Sequence, residues 1–153
     1  RMIHGQTCTR WAREYPCDGL VAVNDKAADN SVLKAAYKAA SGKKTFVWTL
    51  DAFAKKSQKV LDSDTQYFLI TKNPVDMATI LVDQGFKCGI DTVIVVPCND
   101  REGAVKLGNN QSITQEEADA FERISKAGYK IKFALLPDVS IGTWDDFKGK
   151  FGY

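Results

Sequence analysis

YFLITKNPVDMATILVDQG, residues Tyr67–Gly85, is the stretch that decides the fold class. It opens with Tyr67–Thr71, a short run rich in β-branched and aromatic residues and apolar on both faces, as suits a buried parallel strand. Asn73-Pro74 then predicts a helix start, because a proline at the first helical position gives up no hydrogen bond. Gly85 predicts the C-cap of that helix. One strand, a short turn and one helix therefore fit into 19 residues.

The same unit recurs on both sides. Strand-like runs lie at Leu20–Val23, Thr45–Leu50 and Thr92–Val96, with a weaker one at Ala104–Leu107 and a later one, KIKFALL, at Lys130–Leu136. KIKFALL begins by alternating, which predicts a strand near a sheet edge. Helical periodicity lies between the runs. Val32, Leu33, Ala36, Tyr37 and Ala40 recur on one predicted inner face. In DAFAKKSQKVL, Phe53, Val60 and Leu61 are expected inward and Lys55, Lys56 and Lys59 toward water. TQEEADAFERISKAG has Thr114 and Glu117 at capping-box spacing and ends in Gly128. TWDDFKGKF predicts a last short helix. Alternating strands and helices with short connections define an α/β class with an open, mainly parallel sheet flanked by helices on both faces. Such sheets bind ligands at the carboxyl ends of their strands. The polar stretch from Pro97 to Asn110 reads as a functional loop or an irregular hairpin.

Bulk properties exclude several classes. The 153 residues suit one domain, and a net charge of +2 with scattered lysines gives no nucleic-acid footprint. No apolar run approaches the ~20 residues of a bilayer span. Cys8, Cys17, Cys88 and Cys98 form no C-x-x-C pair, and with a single histidine there is no zinc ligand set. Free thiols in a reducing cytosol are the expectation. No metal or other cofactor is called for.

That single histidine sits in RMIHGQTCTRW. From Gly5 to Glu14 the pattern is helical, and Tyr15 ahead of Pro16 is pushed out of the helical region. His4 then lies at a helix N-terminus, where the N–H groups of Gly5, Gln6 and Thr7 are unpaired and an anion is favoured. A neutral imidazole is a competent nucleophile near neutral pH, its ordinary pKa being about 6.5. A phosphoryl group on it would meet those amides and the Arg1 guanidinium. On local physics His4 is a phosphohistidine candidate or, alternatively, a surface or capping residue without chemistry.

R-M-I-H-G-Q, then Trp11, then a strand ending in Val-Asn-Asp with Ala27 close behind, resembles the IIB component of the mannose/fructose/sorbose family of the bacterial phosphoenolpyruvate-dependent sugar phosphotransferase system. The Tyr67–Gly85 stretch and TQEEADAFERISKAGYKIKFALLP resemble later elements of the same family, so the likeness spans nearly the whole chain. The resemblance implies a single IIB phosphocarrier domain over 1–153, cytoplasmic and meeting the membrane through its permease. It implies that a IIA phosphohistidine donates to Nδ1 of His4, which donates to a sugar held by the membrane IIC/IID components. Arg1 matches the family's active-site arginine, and Gly5 and Gln6 match its phosphate loop. Thr71 and Lys72 at one strand end, and Asn24 and Asp25 at another, are candidates for the same crevice. The family has a hydrophobic strand and an acid before the arginine, so a strand is expected ahead of Arg1 in the native gene product. PCNDREGAVKLGNN departs from the family's usual N-x-G-N-x-H-type stretch. The alternatives are a phosphohistidine phosphatase or mutase, which would need a second histidine, and a non-catalytic phosphate- or nucleotide-binding flavodoxin-like module.

Overall fold

The computed structural model describes residues 10–98, 101–108 and 111–153. It is a mixed α/β structure with parallel sheet flanked by helices, and its chain forms two compact units, Arg1–Lys72 and Asn73–Tyr153.

The first unit contains α1 (Ala12–Glu14), β1 (Gly19–Val23), α2 (Asp25–Ala28), α3 (Ser31–Ser41), β2 (Lys44–Trp48), α4 (Leu50–Asp62) and β3 (Tyr67–Thr71). Its sheet has the order β2-β1-β3, all parallel and in even register: Val21 faces Phe46 on one side and Leu69 on the other. The central strand β1 is buried throughout. Alternate residues point to opposite faces. Leu20, Ala22 and Val47, with Phe68 and Ile70, face a core closed by Ala27 of α2 and Tyr37 of α3. On the opposite face Phe46 stacks on Trp48 at 4.9 Å between centroids, and Phe53 of α4 lies 6.4 Å from Trp48. Full burial of Phe53 contributes about 2 kcal/mol. Gly19 has a steric reason. A Cβ there would lie 2.7 Å from the Tyr67 ring and 2.9 Å from the Lys44 carbonyl.

The second unit contains α5 (Pro74–Ala78), a π-helical turn Thr79–Asp83, β4 (Thr92–Val95), β5 (Val105–Gly108), β6 (Gln111–Ile113), α6 (Gln115–Lys126), β7 (Lys130–Leu136), β8 (Val139–Thr143), α7 (Trp144–Phe147) and a 3-10 turn Lys148–Phe151. β4 and β7 are parallel, β8 returns antiparallel on β7, and β5 and β6 form a separate antiparallel pair. Aromatic rings fill the core. Phe133 of β7 meets Phe121 of α6 at 5.3 Å and Phe147 of α7 edge-on at 5.4 Å, and Trp144 stacks on Phe151 at 5.8 Å. The buried Trp144 indole N–H donates to Glu122. Gly142, at φ +144°, passes so close to Phe147 that a Cβ would lie 2.9 Å from the ring. At the chain's end the Tyr153 hydroxyl donates to Asp119 at 2.5 Å. That bond, and a second from the Gln115 amide, hold the Asp119 carboxyl below its ordinary pKa. The same bond to Asp119 raises the Tyr153 phenol, and burial raises it further.

Local signals are realised closely. Asn73 caps α5 by accepting from Asp76 N–H at 2.9 Å, with Pro74 next in line. Both bonds of the Thr114–Glu117 capping box are present. Gly85 and Gly128 follow their helices at φ +67° and +104°. Four expectations need correction. KIKFALL is the middle strand of its sheet, because β8 pairs along the side left free by β4. β3 and β4 are partly exposed at every position, since each ends the pairing order of its own sheet. Val32, Leu33, Ala36 and Ala40 are exposed, because α3 turns Tyr37 and Ser41 to the sheet. The Ser41 hydroxyl bonds Thr45 at 2.5 Å and the carbonyls of Lys38 and Lys43, which fixes that rotation. Leu61 is exposed, because α4 docks through Phe53 in its first turn. The stretch from Pro97 to Asn110 contains β5, which pairs antiparallel with β6 just beyond it, with a register shift between Lys106 and Gly108.

Candidate functional site

Three parallel strands in even register end together, so the residues that follow them share one edge. Val23 pairs with both Trp48 and Thr71, which brings Asn24, Thr49 and Lys72 to the carboxyl edge of the first unit's sheet. Open α/β sheets bind ligands at such edges. The structure thus brings together all four crevice candidates that lie among the described residues: Asn24, Asp25, Thr71 and Lys72.

Their chemistry differs. Asn24 takes an extended backbone and accepts from Ala27 N–H at 3.0 Å, so it starts α2. Asp25 accepts from Leu50 N–H at 2.9 Å and ties the turn after β1 to the turn after β2. A carboxylate only accepts hydrogen bonds and repels a phosphoryl group, so Asp25 serves here as a brace for the edge. Thr49 was not singled out in the sequence. It accepts from Ala52 N–H at 3.0 Å and caps α4. Its signal was present, a threonine standing immediately before a periodic helical stretch. Thr71 closes β3 partly exposed, and Lys72 follows it exposed. Of the four candidates, those two carry a hydroxyl and a cation at this edge.

Arg1, His4, Gly5, Gln6 and Thr7 lie outside the described residues, as do Met2 and Ile3. The described chain begins at Arg10 and runs through Trp11 into α1. Trp11 is buried and stacks on Tyr15 at 6.2 Å, so it anchors this end of the segment in the core. Tyr15 is extended, φ −120° and ψ 130°, as its place before Pro16 requires. Arg10 and Arg13 are exposed.

Residues 1–152 match the family model described as the PTS system sorbose subfamily IIB component. The chain belongs to that family. Among its relatives, the fructose-specific EIIB component of Bacillus subtilis is 27% identical over 139 residues, covering 90% of this chain and 83% of that one. The mannose-specific EIIAB component of Escherichia coli is 26% identical over 134 residues, 86% of this chain and 41% of that protein. This chain therefore spans less than half of that two-part relative. The IIB domain of the sorbose permease from Klebsiella pneumoniae superposes with a TM-score of 0.83 at 23% identity, covering 100% of this chain and 93% of that one. That likeness supports the fold. Membership makes the chain a IIB component of a sugar phosphotransferase system, a phosphotransferase in sugar uptake that works with IIA and IIC partners in general. Among the described residues no helix is long and apolar enough to cross a membrane.

Proposed function

We propose that His4 is the phosphoryl carrier of this IIB component. The observation that carries this reading is the family match over residues 1–152, which includes the Arg1–Thr7 segment. In the first step the Nδ1 lone pair of a neutral His4 attacks phosphorus on the phosphohistidine of a IIA partner. The donor's P–N bond breaks, and its electron pair returns to the donor imidazole. In the second step a hydroxyl oxygen of a sugar held by membrane IIC/IID components attacks the same phosphorus. His4 leaves with its electron pair restored, and the sugar's hydroxyl proton is released.

Each residue's role follows from the charge it meets. The Arg1 guanidinium and the amides of Gly5, Gln6 and Thr7 hold the phosphoryl oxygens and the charge spread over them in the transition state. Thr71 and Lys72 at the end of β3 add a hydroxyl and a cation. Asn24 and Asp25 keep the edge rigid. His4 is the one histidine in the chain, so no second imidazole can act as a general base on water, and the carried group is spared hydrolysis. The domain reading remains one phosphocarrier unit over 1–153, with the sugar chosen by the membrane partners.

The test is transfer from phosphoenolpyruvate through the general energy-coupling proteins and a IIA component. His4→Ala is expected to abolish labelling of this chain with the circular dichroism unchanged. Label persisting on any other residue contradicts the proposal. Arg1→Ala is expected to slow labelling about 100-fold, the effect of removing one charge-stabilising donor. An equal rate in the variant removes Arg1 from the mechanism.

A further inference from the structure

The segment that follows β4 holds a thiol in unusual company. Cys98 is partly exposed. Arg101, three residues on, donates from Nη1 to the Cys98 sulfur at 2.9 Å. Its Nη2 donates to the Ser112 carbonyl at 3.2 Å and to the Glu117 carboxylate, with which it forms an ion pair. Glu117 is itself fixed by the capping box of α6. One edge of the guanidinium is therefore anchored to β6 and α6, and the other is held against sulfur.

A second observation converges on the same place. Cys98 and Gln111 are partners in a parallel bridge, which puts their side chains on one side of the two segments. Gln111 is completely buried. Its Nε2 donates to the Val95 carbonyl at 3.4 Å, so the amide lies along the segment that leads into Cys98. The Oε1 of the same amide has no hydrogen-bond partner among the described residues. A buried acceptor left without a donor is destabilising. A cation is thus fixed at the sulfur, and a buried amide with an unpartnered acceptor stands on the same side of the bridge.

The other described cysteines differ. Cys17 is buried, and its thiol donates to the Gly19 carbonyl at 3.2 Å. Cys88 is exposed. Reactive thiols occupy partly exposed, electropositive surroundings, and buried ones are inert.

We propose that Cys98 is a peroxide-responsive modification site, oxidised by hydrogen peroxide to a sulfenic acid that Arg101 and Gln111 hold. A sulfur lone pair attacks one peroxide oxygen. The S–O bond forms as the O–O bond breaks, so sulfur loses two electrons and the peroxide gains them. The departing oxygen takes the thiol proton and leaves as water. Arg101 stabilises the negative charge that develops on that oxygen. The new S–O–H group supplies the donor that Gln111 Oε1 lacks.

The test is peptide-level mass spectrometry of the full chain exposed to hydrogen peroxide with dimedone, which traps sulfenic acids. Cys98 is expected to label about tenfold faster than Cys88. Arg101→Met is expected to erase that advantage, and Arg101→Lys to keep part of it. Gln111→Leu is expected to leave the first step's rate unchanged while, without dimedone, the sulfenic acid passes sooner to sulfinic acid. Equal labelling of Cys98 and Cys88 in the unaltered chain overturns the proposal, and this comparison needs no variant to fold. So does an advantage retained by a folded Arg101→Met. A sulfenic acid equally long-lived in Gln111→Leu overturns the holding role of Gln111.

Discussion

Gly142 shows what one hydrogen atom in place of a side chain does for this molecule. Its φ of +144° is unfavourable for any other residue, and Phe147 fills the space a Cβ would take. Gly142→Ala is expected to destabilise the fold by about 1–3 kcal/mol from backbone strain alone, read as a lower midpoint in urea with the slope unchanged. Leu20 tests the other core. Leu20→Ala opens a cavity under β1 and is expected to cost about 2–5 kcal/mol, read in the same way. The turn candidates were legible as residues and less so as roles. Asn24 and Asp25 stood out because they follow an apolar run. That their oxygens serve the Ala27 and Leu50 amides depends on where α2 and the second turn lie. That information is tertiary, and spacing along the chain does not hold it.

The helices divide into those governed by local chemistry and those governed by docking. α6 belongs to the first kind. Its capping box, its acidic first turn and its closing glycine are all within 15 residues, and all were readable. Thr114→Ala is expected to cost about 1 kcal/mol, measured by thermal unfolding. α3 belongs to the second kind. Its apolar residues predicted an inner face that the Ser41–Thr45 hydrogen bond overrides, leaving Val32 exposed. The C-terminal turn adds a pH dependence through Asp119 and Tyr153. The Asp119 pKa is lowered in the folded chain, so its contribution is present above the unfolded value and is lost as pH falls through the folded one. The Tyr153 pKa is raised, so its contribution is full below the unfolded value and is lost as pH rises through the folded one. The stability difference between the unaltered chain and Tyr153→Phe should therefore be greatest near neutral pH and shrink at both extremes. A difference that stays flat across that range contradicts the assigned bond.

At the scale of the whole chain, the alternation of strand and helix was enough to give an α/β class with parallel sheet. Pairing order was harder to read. VSIGT carries a glycine among three β-branched residues and still becomes β8, because a tight return through Pro137 and Asp138 brings it back onto β7. QSI is too short to show periodicity and becomes β6 by pairing with β5. Function was read by a different route. Lone histidines are common, and local physics left His4 a candidate with a bland alternative. The R-M-I-H-G-Q segment joined to the later elements made the family legible, and the match over residues 1–152 shows it. β1, β2 and β3 end at one edge, and Thr71 and Lys72 stand on it.

The most direct measurement is phosphorus NMR of this chain after incubation with phosphoenolpyruvate, the general energy-coupling proteins and a IIA component. The account predicts one phosphohistidine resonance of the Nδ1 type, absent in His4→Ala and discharged when membranes carrying the sugar permease and its sugar are added. A chain that takes up no phosphoryl group while its donor is fully charged, or one whose resonance survives in His4→Ala, contradicts it.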